Sequence, residues 1–244
     1  MIFWMSQKFL SPKAFYTTTT HFLPWIITGV VLCLSYGLIA GLFIAPADYQ
    51  QGDGFRIIYV HVPSAFTAMA IYFVMASSAI LVLVWRIKIA AICMSSSAAI
   101  GASFTFLALI TGSIWGKPMW GTWWVWDARL TSVLILLFLY LGFIALQSVI
   151  KETQHKDRAA SVIALAGAIN LPIIHYSVVW WNTLHQGATI SKLDTPSIDP
   201  SMLYPLLSMI VGFMLFYLLI LLLRMRNQIL LREIKTEWVK EVLL

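Results

Sequence analysis

The sequence predicts an all-α, polytopic membrane protein with six transmembrane helices in a single domain, residues 1–244. Hydrophobic residues make up 60% of the chain, charged residues make up 11%, and the mean hydropathy is +0.85. An ordinary soluble domain has about 25% charged residues, so that class is excluded. Apolar runs near the ~20 residues that cross a bilayer occur at about 22–45, 57–85, 92–114, 129–150, 159–182 and 204–223.

The basic residues predict the orientation of these spans. Twelve of the 16 Lys and Arg residues lie in the N-terminus, the links 86–91 and 151–158, and the tail 224–244. Because short cytoplasmic segments are enriched in Lys and Arg, both termini are predicted to be cytoplasmic. The links 46–56, 115–128 and 183–203 then lie on the outer side. The net charge of +6 follows from this asymmetry, and no basic run predicts a nucleic-acid partner.

The two ends of the chain and the cysteines add three expectations. The tail, about 224–244, mixes basic and apolar residues, which favours a cytoplasmic amphipathic helix on anionic lipid or a partner. The sequence Ala45-Pro46-Ala47 loosely resembles a signal cleavage site, but the apolar run before it is too long for a signal peptide, so a retained helix is expected. Cys33 and Cys93 form no Cys-x-x-Cys motif, which excludes a thiol oxidoreductase and a covalent c-type haem carrier.

The outer link 115–128 holds five of the eleven tryptophans within twelve residues. Trp combines a large flat apolar ring with one N–H donor, so a dense cluster suits a flat, apolar, partly charged ligand. The alternative is an aromatic belt at the membrane interface, which also fits Trp180 and Trp181. The residues predicted to form the platform are Trp115, Trp120, Trp123, Trp124 and Trp126.

Two of the five histidines are predicted to reach the level of the tryptophan cluster. His61 lies near the outer start of the second span and His185 follows the fifth span. Each is an interfacial hydrogen-bonding residue in the simplest interpretation. Together they are candidate axial ligands, because neutral imidazoles on two helices can clamp a haem iron. His21 and His155 lie on the inner side and are predicted to be solvated.

His175 lies within the fifth span. An ionisable residue in a membrane is a functional candidate by default, but the nearby Asn170, Tyr176 and Ser177 favour a neutral, hydrogen-bonded contact between helices. Pro172 is predicted to kink or loosen this helix because it lacks an amide donor and its ring crowds the preceding turn.

Two outer-side arginines, Arg56 and Arg129, depart from the basic-inside pattern. They are interpreted either as partners of lipid headgroups or aspartates, or as carboxylate-binding residues, since a guanidinium binds a carboxylate through two hydrogen bonds. Haem has a flat aromatic body, an iron and two carboxylates, and would use the rings, both histidines and both arginines. Asp127 is predicted to cap the following helix or to pair with Arg129 rather than act as a base.

The sequence around these residues resembles the tryptophan-rich "WWD" haem-handling proteins of cytochrome c biogenesis, in particular the CcmC family. The resemblance covers nearly the whole chain, apart from the N-terminus and residues 188–203. It rests on WG at 115–116, WGTWWVWD at 120–127 continuing through DARLTS at 127–132, APADYQQ at 45–51, RIIYVHVP at 56–63, NLPIIHYS at 170–177 and WWNTLHQG at 180–187.

The resemblance implies a specific function. Such proteins hold non-covalent haem b at the periplasmic face of the bacterial inner membrane, with axial ligands here matching His61 and His185. The WWD loop lies against the macrocycle and meets the haem chaperone CcmE, onto which haem is loaded covalently. A small membrane subunit, CcmD, and the ABC transporter pair CcmA and CcmB complete the assembly.

Two other functions remain open at this stage. A membrane cytochrome b redox subunit normally needs haem ligands at two depths, and the candidates here gather at one. A haem transport permease subunit needs a path through the bundle, and the short inner links disfavour direct contact with an ATPase. The expected role is therefore to hold and orient haem rather than to act as an enzyme.

Overall fold

The structure, a computed structural model, describes residues 11–187 and 198–243. It confirms the predicted fold class, since six helices are long and apolar enough to cross a membrane. The spans are Pro12–Ile44, Asp53–Trp85, Lys88–Trp120, Ala128–Val149, Thr153–Trp180 and Pro200–Arg232.

The helices are named here in chain order. The first span is α1 (Pro12–Ile39), continued by a π-helical segment, Ala40–Ile44. A 3₁₀ turn, Asp53–Ile57, leads into α2 (Ile58–Trp85), which is followed by α3 (Lys88–Trp120) and α4 (Ala128–Val149). The fifth span consists of α5 (Thr153–Ala168) and α6 (Asn170–Trp180), and the chain continues through α7 (Pro200–Arg232) to α8 (Glu237–Leu243).

We call the end of the bundle where α3 finishes and α4 begins the tryptophan end, and the opposite end the basic end. Helix α3 continues six residues past the predicted span end at 114, so the irregular part of the predicted 115–128 loop is only 121–127. The helix ends where Gly121 adopts a left-handed conformation, with φ of 77°. Glycine adopts this conformation without steric cost, so Trp115 and Trp120 lie on helix α3 rather than in a loop.

Helices α2 and α3 form the centre of the bundle and pack most extensively against each other. Helix α7 contacts both and carries α1 on its far side, whereas α4 and α5 cover the opposite side. Tyr72 and Tyr140 are fully buried in this core, with ring centroids 5.1 Å apart in an edge-to-face arrangement. The phenol of Tyr140 donates to the backbone oxygen of Ala68 at 2.7 Å, which ties α4 to α2.

Small residues in α3 make this packing possible, and one gives a stability prediction. A Cβ at Gly101 would collide with the ring of Tyr140. We expect Gly101→Ala to destabilise the fold by about 1–3 kcal/mol, the usual cost of overpacking a core, measured as a lower thermal unfolding temperature in detergent. The matched control is Gly142→Ala on α4, where a Cβ meets nothing within 4 Å. Equal unfolding temperatures for the two variants would contradict this account of the packing.

The fifth span is loosened near Pro172, as predicted. Helices α5 and α6 are separated by a turn at Ile169, immediately before the residues whose backbone bonding a proline at 172 disrupts. His175, in contrast, does not make the predicted contact between helices. The bundle-facing positions of α6 are Asn170, Ile174 and Ser177, and His175 lies on the exposed face, edge-on to Tyr176 at 4.7 Å.

The predicted amphipathic tail is partly a continuation of a span. Helix α7 runs unbroken to Arg232, and the chain then folds back as α8. Val239 is fully buried and the ring of Trp238 packs on Tyr16 at 5.9 Å. Arg232 pairs with Asp157 at 3.1 Å, so this segment packs against the basic end of the bundle.

Candidate functional site

His61 lies in the first turn of α2, at the tryptophan end, and is pressed against α3. A Cβ at Gly112 would approach its Cε1 atom at 2.9 Å, so the absence of a side chain there lets the ring lie against the helix backbone. The Nδ1 atom is 3.1 Å from the carbonyl oxygen of Ala108. Because a carbonyl only accepts, the neutral ring carries its proton on Nδ1. The Nε2 lone pair of His61 is therefore available to a metal.

His185 lies five residues beyond the end of α6. Its Nδ1 atom is 2.8 Å from the carbonyl oxygen of Gln186, which again places the proton on Nδ1 and the lone pair on Nε2. Its backbone N–H donates to the hydroxyl of Thr183 at 3.1 Å. Burial lowers the pKa of His185, and the nearby Arg129 guanidinium lowers it further. The lowered pKa favours the neutral imidazole, which is the form that binds metals.

The two histidines, far apart in sequence, have ring centroids 6.3 Å apart and an interplanar angle of 38°. A metal bonded to one imidazole nitrogen on each side, at about 2 Å each, requires ring centres about 6 Å apart. A bis-histidine iron site therefore fits this donor pair. In the described part of the chain, no group of three or more His, Cys, Asp or Glu residues could hold a metal ion.

Both histidines line one cavity of about 400 Å³ at the tryptophan end. Drug-sized ligand pockets have volumes of about 300–1,000 Å³ and mainly apolar walls with a few polar groups. Most of the wall here is apolar and comes from α2, α3, α4 and α7. The polar groups are few, with His61, His185 and Arg129 prominent among them.

The tryptophan cluster divides into two groups that face different surroundings. Trp115, Trp120 and Trp124 line the cavity. Trp115 lies edge-on to His61 at 5.6 Å, and Trp120 lies 6.3 Å from His185. The other two rings are not part of the cavity wall and are exposed, by 55% for Trp123 and 76% for Trp126. Three of the five rings therefore line the cavity, and the other two are exposed at the surface.

The two candidate arginines are placed differently. Arg129 lines the cavity and donates one hydrogen bond to the backbone oxygen of Ile174. Among the described residues no carboxylate lies within ion-pair distance of its guanidinium. Arg56 is not on the cavity wall. Its guanidinium pairs with Asp53 at 3.0 Å and donates to the backbone oxygen of Gly41 at 2.8 Å. Its role as a carboxylate-binding residue stays a prediction.

Comparison with known proteins identifies the family. A model of the CcmC family, described as "Heme exporter protein C", matches residues 5–240. The chain belongs to the CcmC family. That match spans both histidines, all five tryptophans of the cluster, Asp127 and both arginines.

Individual proteins named "Heme exporter protein C" agree with the CcmC match. The protein of Escherichia coli (strain K12) is 53% identical over 233 residues, covering 96% of this chain and 94% of its own length. That of Haemophilus influenzae is 50% identical, covering 96% and 95% of the two chains. That of Bradyrhizobium diazoefficiens is 47% identical, covering 93% and 86%.

Several residues that shape this CcmC-family site were missed from the sequence. Gln51 accepts a hydrogen bond from the indole nitrogen of Trp115 at 2.8 Å and so orients a cavity ring. Gly112 admits the His61 ring, and Thr183 holds the backbone of His185. Gln51 and Thr183 stand inside motifs of the CcmC resemblance, which could have marked them. For Gly112 the sequence offers no comparable signal.

Proposed function

We propose that this chain holds non-covalent haem b at the tryptophan end of the bundle and presents it for covalent transfer to the haem chaperone CcmE. The observation that carries the proposal is the His61–His185 pair, whose rings are 6.3 Å apart and whose Nδ1 atoms are both engaged by backbone oxygens. This leaves two imidazole Nε2 atoms for one iron. The names of the CcmC-family relatives give the same ligand class.

We also propose that the tryptophan end faces the periplasm and the basic end faces the cytoplasm of the bacterial inner membrane. The links 86–91 and 151–158 and the tail 224–240, at the basic end, contain ten of the sixteen Lys and Arg residues, and the N-terminus adds two more. Short cytoplasmic segments are enriched in these residues. The haem site is then on the side where c-type cytochromes are assembled in the family's biosynthetic system.

The chain's own residues bind, orient and shield. Haem supplies the iron and the reactive porphyrin edge. His61 and His185 would each hold the iron through Nε2, and together they would keep small ligands such as O₂ from it. Trp115, Trp120 and Trp124 give flat apolar contact to the macrocycle, and Arg129 provides donors for a propionate carboxylate. Nothing in this set activates a nucleophile, so the role is positioning.

The proposed partners are CcmE at the tryptophan end, the small membrane subunit CcmD, and the transporter subunits CcmA and CcmB. The exposed Trp123 and Trp126 rings are the part of the cluster available to CcmE, because exposed Trp is a residue type that often dominates binding energy at interfaces. Membrane lipid covers the remaining apolar surface of the spans.

The absorption spectrum of the purified chain, with and without reductant, tests the proposal. We expect a six-coordinate, low-spin haem in both oxidation states, because two nitrogen ligands saturate the iron axially. One haem per chain is expected, whereas two would favour the redox-subunit alternative. A chain that neither retains haem nor binds added haem would overturn the proposal.

A paired tryptophan variant tests the division of the cluster. We expect Trp123→Leu with Trp126→Leu to lower haem transfer to CcmE about tenfold or more, as loss of interface anchor residues does, while the haem spectrum stays unchanged. The matched control is Trp25→Leu with Trp85→Leu, whose rings are exposed to the same degree, 77% and 57%, away from the site. Equal transfer by the two double variants would count against a partner surface at Trp123 and Trp126.

A further inference from the structure

Asp127 reaches across to the segment that carries His185. One carboxylate oxygen, Oδ1, accepts the backbone N–H of Leu130 at 2.8 Å and caps helix α4. The other, Oδ2, accepts a hydrogen bond from the hydroxyl of Thr183. The hydroxyl oxygen of Thr183 in turn accepts the backbone N–H of His185 at 3.1 Å. The Thr183 hydroxyl thus acts as donor on one side and acceptor on the other.

This chain of bonds matters because His185 has little regular structure to hold it. Helix α6 ends at Trp180, where the N–H of Trp181 still bonds back to Ser177. Beyond that point the described bonds to the His185 backbone and ring come from Thr183 and from the neighbouring Gln186. Among the described hydrogen bonds, the bond from Thr183 to Asp127 connects this segment to the start of a membrane-spanning helix.

We propose that Thr183 and Asp127 are positioning residues that hold His185 at its distance from His61, as a clamp between the segment after α6 and the start of α4. The proposal rests on the proposed function, in which His185 is a haem ligand. Neither residue is required to touch the haem. Partners that hold a metal-binding histidine in place typically contribute about 10–100-fold in metal affinity or activity, so the clamp has a measurable effect.

The rate of carbon monoxide binding to ferrous haem measures the clamp. Carbon monoxide binds a bis-histidine iron only after one histidine has left it. In the full-length purified chain loaded with haem b, we expect Thr183→Val to bind carbon monoxide about tenfold faster or more. If Thr183→Val loses part of its six-coordinate spectrum because His185 has left the iron, excess free imidazole should restore that spectrum. Thr183→Ser keeps the hydroxyl and is expected to stay near the wild-type rate. Thr17→Val is the matched control, since Thr17 is exposed and bonds only within its own helix.

A second variant separates the clamp from folding. Asn caps helices as well as Asp, so Asp127→Asn keeps the cap on α4 while removing the charged acceptor from Thr183. We expect it to bind carbon monoxide faster than Asp199→Asn, a change at the cap of α7. If Thr183→Val does not fold, the comparison of Asp127→Asn with Asp199→Asn tests the clamp in its place.

A wild-type carbon monoxide rate in Thr183→Val, or in Asp127→Asn when the former does not fold, would overturn the clamp. The variant His185→Ala, studied in parallel, tests the underlying function separately. If it becomes five-coordinate while the clamp variants behave as wild type, His185 is a ligand and the clamp is wrong. If His185→Ala keeps the bis-histidine spectrum, the ligand assignment fails, and the clamp fails with it.

Discussion

Replacing His61 or His185 with alanine is expected to abolish six-coordinate haem and to weaken haem retention about 100-fold or more. This exceeds the 10–100-fold typical of a residue that merely supports a ligand. The physical reason is the loss of one iron–nitrogen bond in a cavity whose other contacts are mainly apolar. The measurements are the absorption spectrum of the purified variants and the haem remaining after competition with apo-myoglobin.

His175→Ala is the matched control for both histidine variants. His175 lies in α6, the helix that leads to the segment carrying His185. Its ring, however, lies on the exposed face of α6 against Tyr176. We expect this variant to retain haem and the low-spin spectrum. A double variant of His61 and His185 that still shows a bis-histidine spectrum would refute the ligand assignment.

Removing the Arg129 guanidinium is expected to lower haem affinity about 10–100-fold, because charge-assisted hydrogen bonds contribute about 1.5–3 kcal/mol each. Arg129 is on the cavity wall, and no carboxylate of the described chain lies within ion-pair distance of it. The variant Arg129→Ala is titrated with haem b and, separately, with a haem whose propionates are esterified. We expect the wild type to lose affinity for the ester and the variant to bind both ligands equally.

Two comparisons make the Arg129 result specific. Lys117→Ala removes a positive charge at the same end of the bundle, where Lys117 bonds to the oxygen of Gly121, and should leave haem affinity unchanged. Arg56→Ala is expected to have a smaller effect than Arg129→Ala, because Asp53 already pairs with Arg56. If Arg129→Ala still discriminates between haem and its ester as strongly as the wild type, the propionate role is excluded.

The number and order of the spans could be predicted because hydropathy reports the apolar part of each helix directly. The helix ends could not, since they depend on caps and turns outside the apolar run. Helix α1 begins at Pro12, where the Ser11 side chain accepts the N–H of Ala14, ten residues before the predicted span. Helix α3 continues through Trp120 because the left-handed backbone conformation that ends it occurs at Gly121.

The site was predictable to the extent that topology determined it. The order of the spans places His61 and His185 at one end, and the structure brings their rings together. The predicted cap by Asp127 is confirmed. Which rings face the cavity depends on helical phase and on the exact end of α3, and neither can be obtained from composition. Bonds between distant segments, such as that between Thr183 and Asp127, require the tertiary fold.

The two histidines lie in segments of different regularity. His61 belongs to a continuous helix and its ring is wedged against the backbone at Gly112. His185 belongs to an irregular segment held by a few hydrogen bonds, and such segments open at lower free-energy cost than core helices. If a haem iron is bound by both histidines, we expect its bond to His185 to break first while its bond to His61 remains. Under the proposed function, haem would then leave this chain by losing its two histidine bonds one after the other rather than both at once.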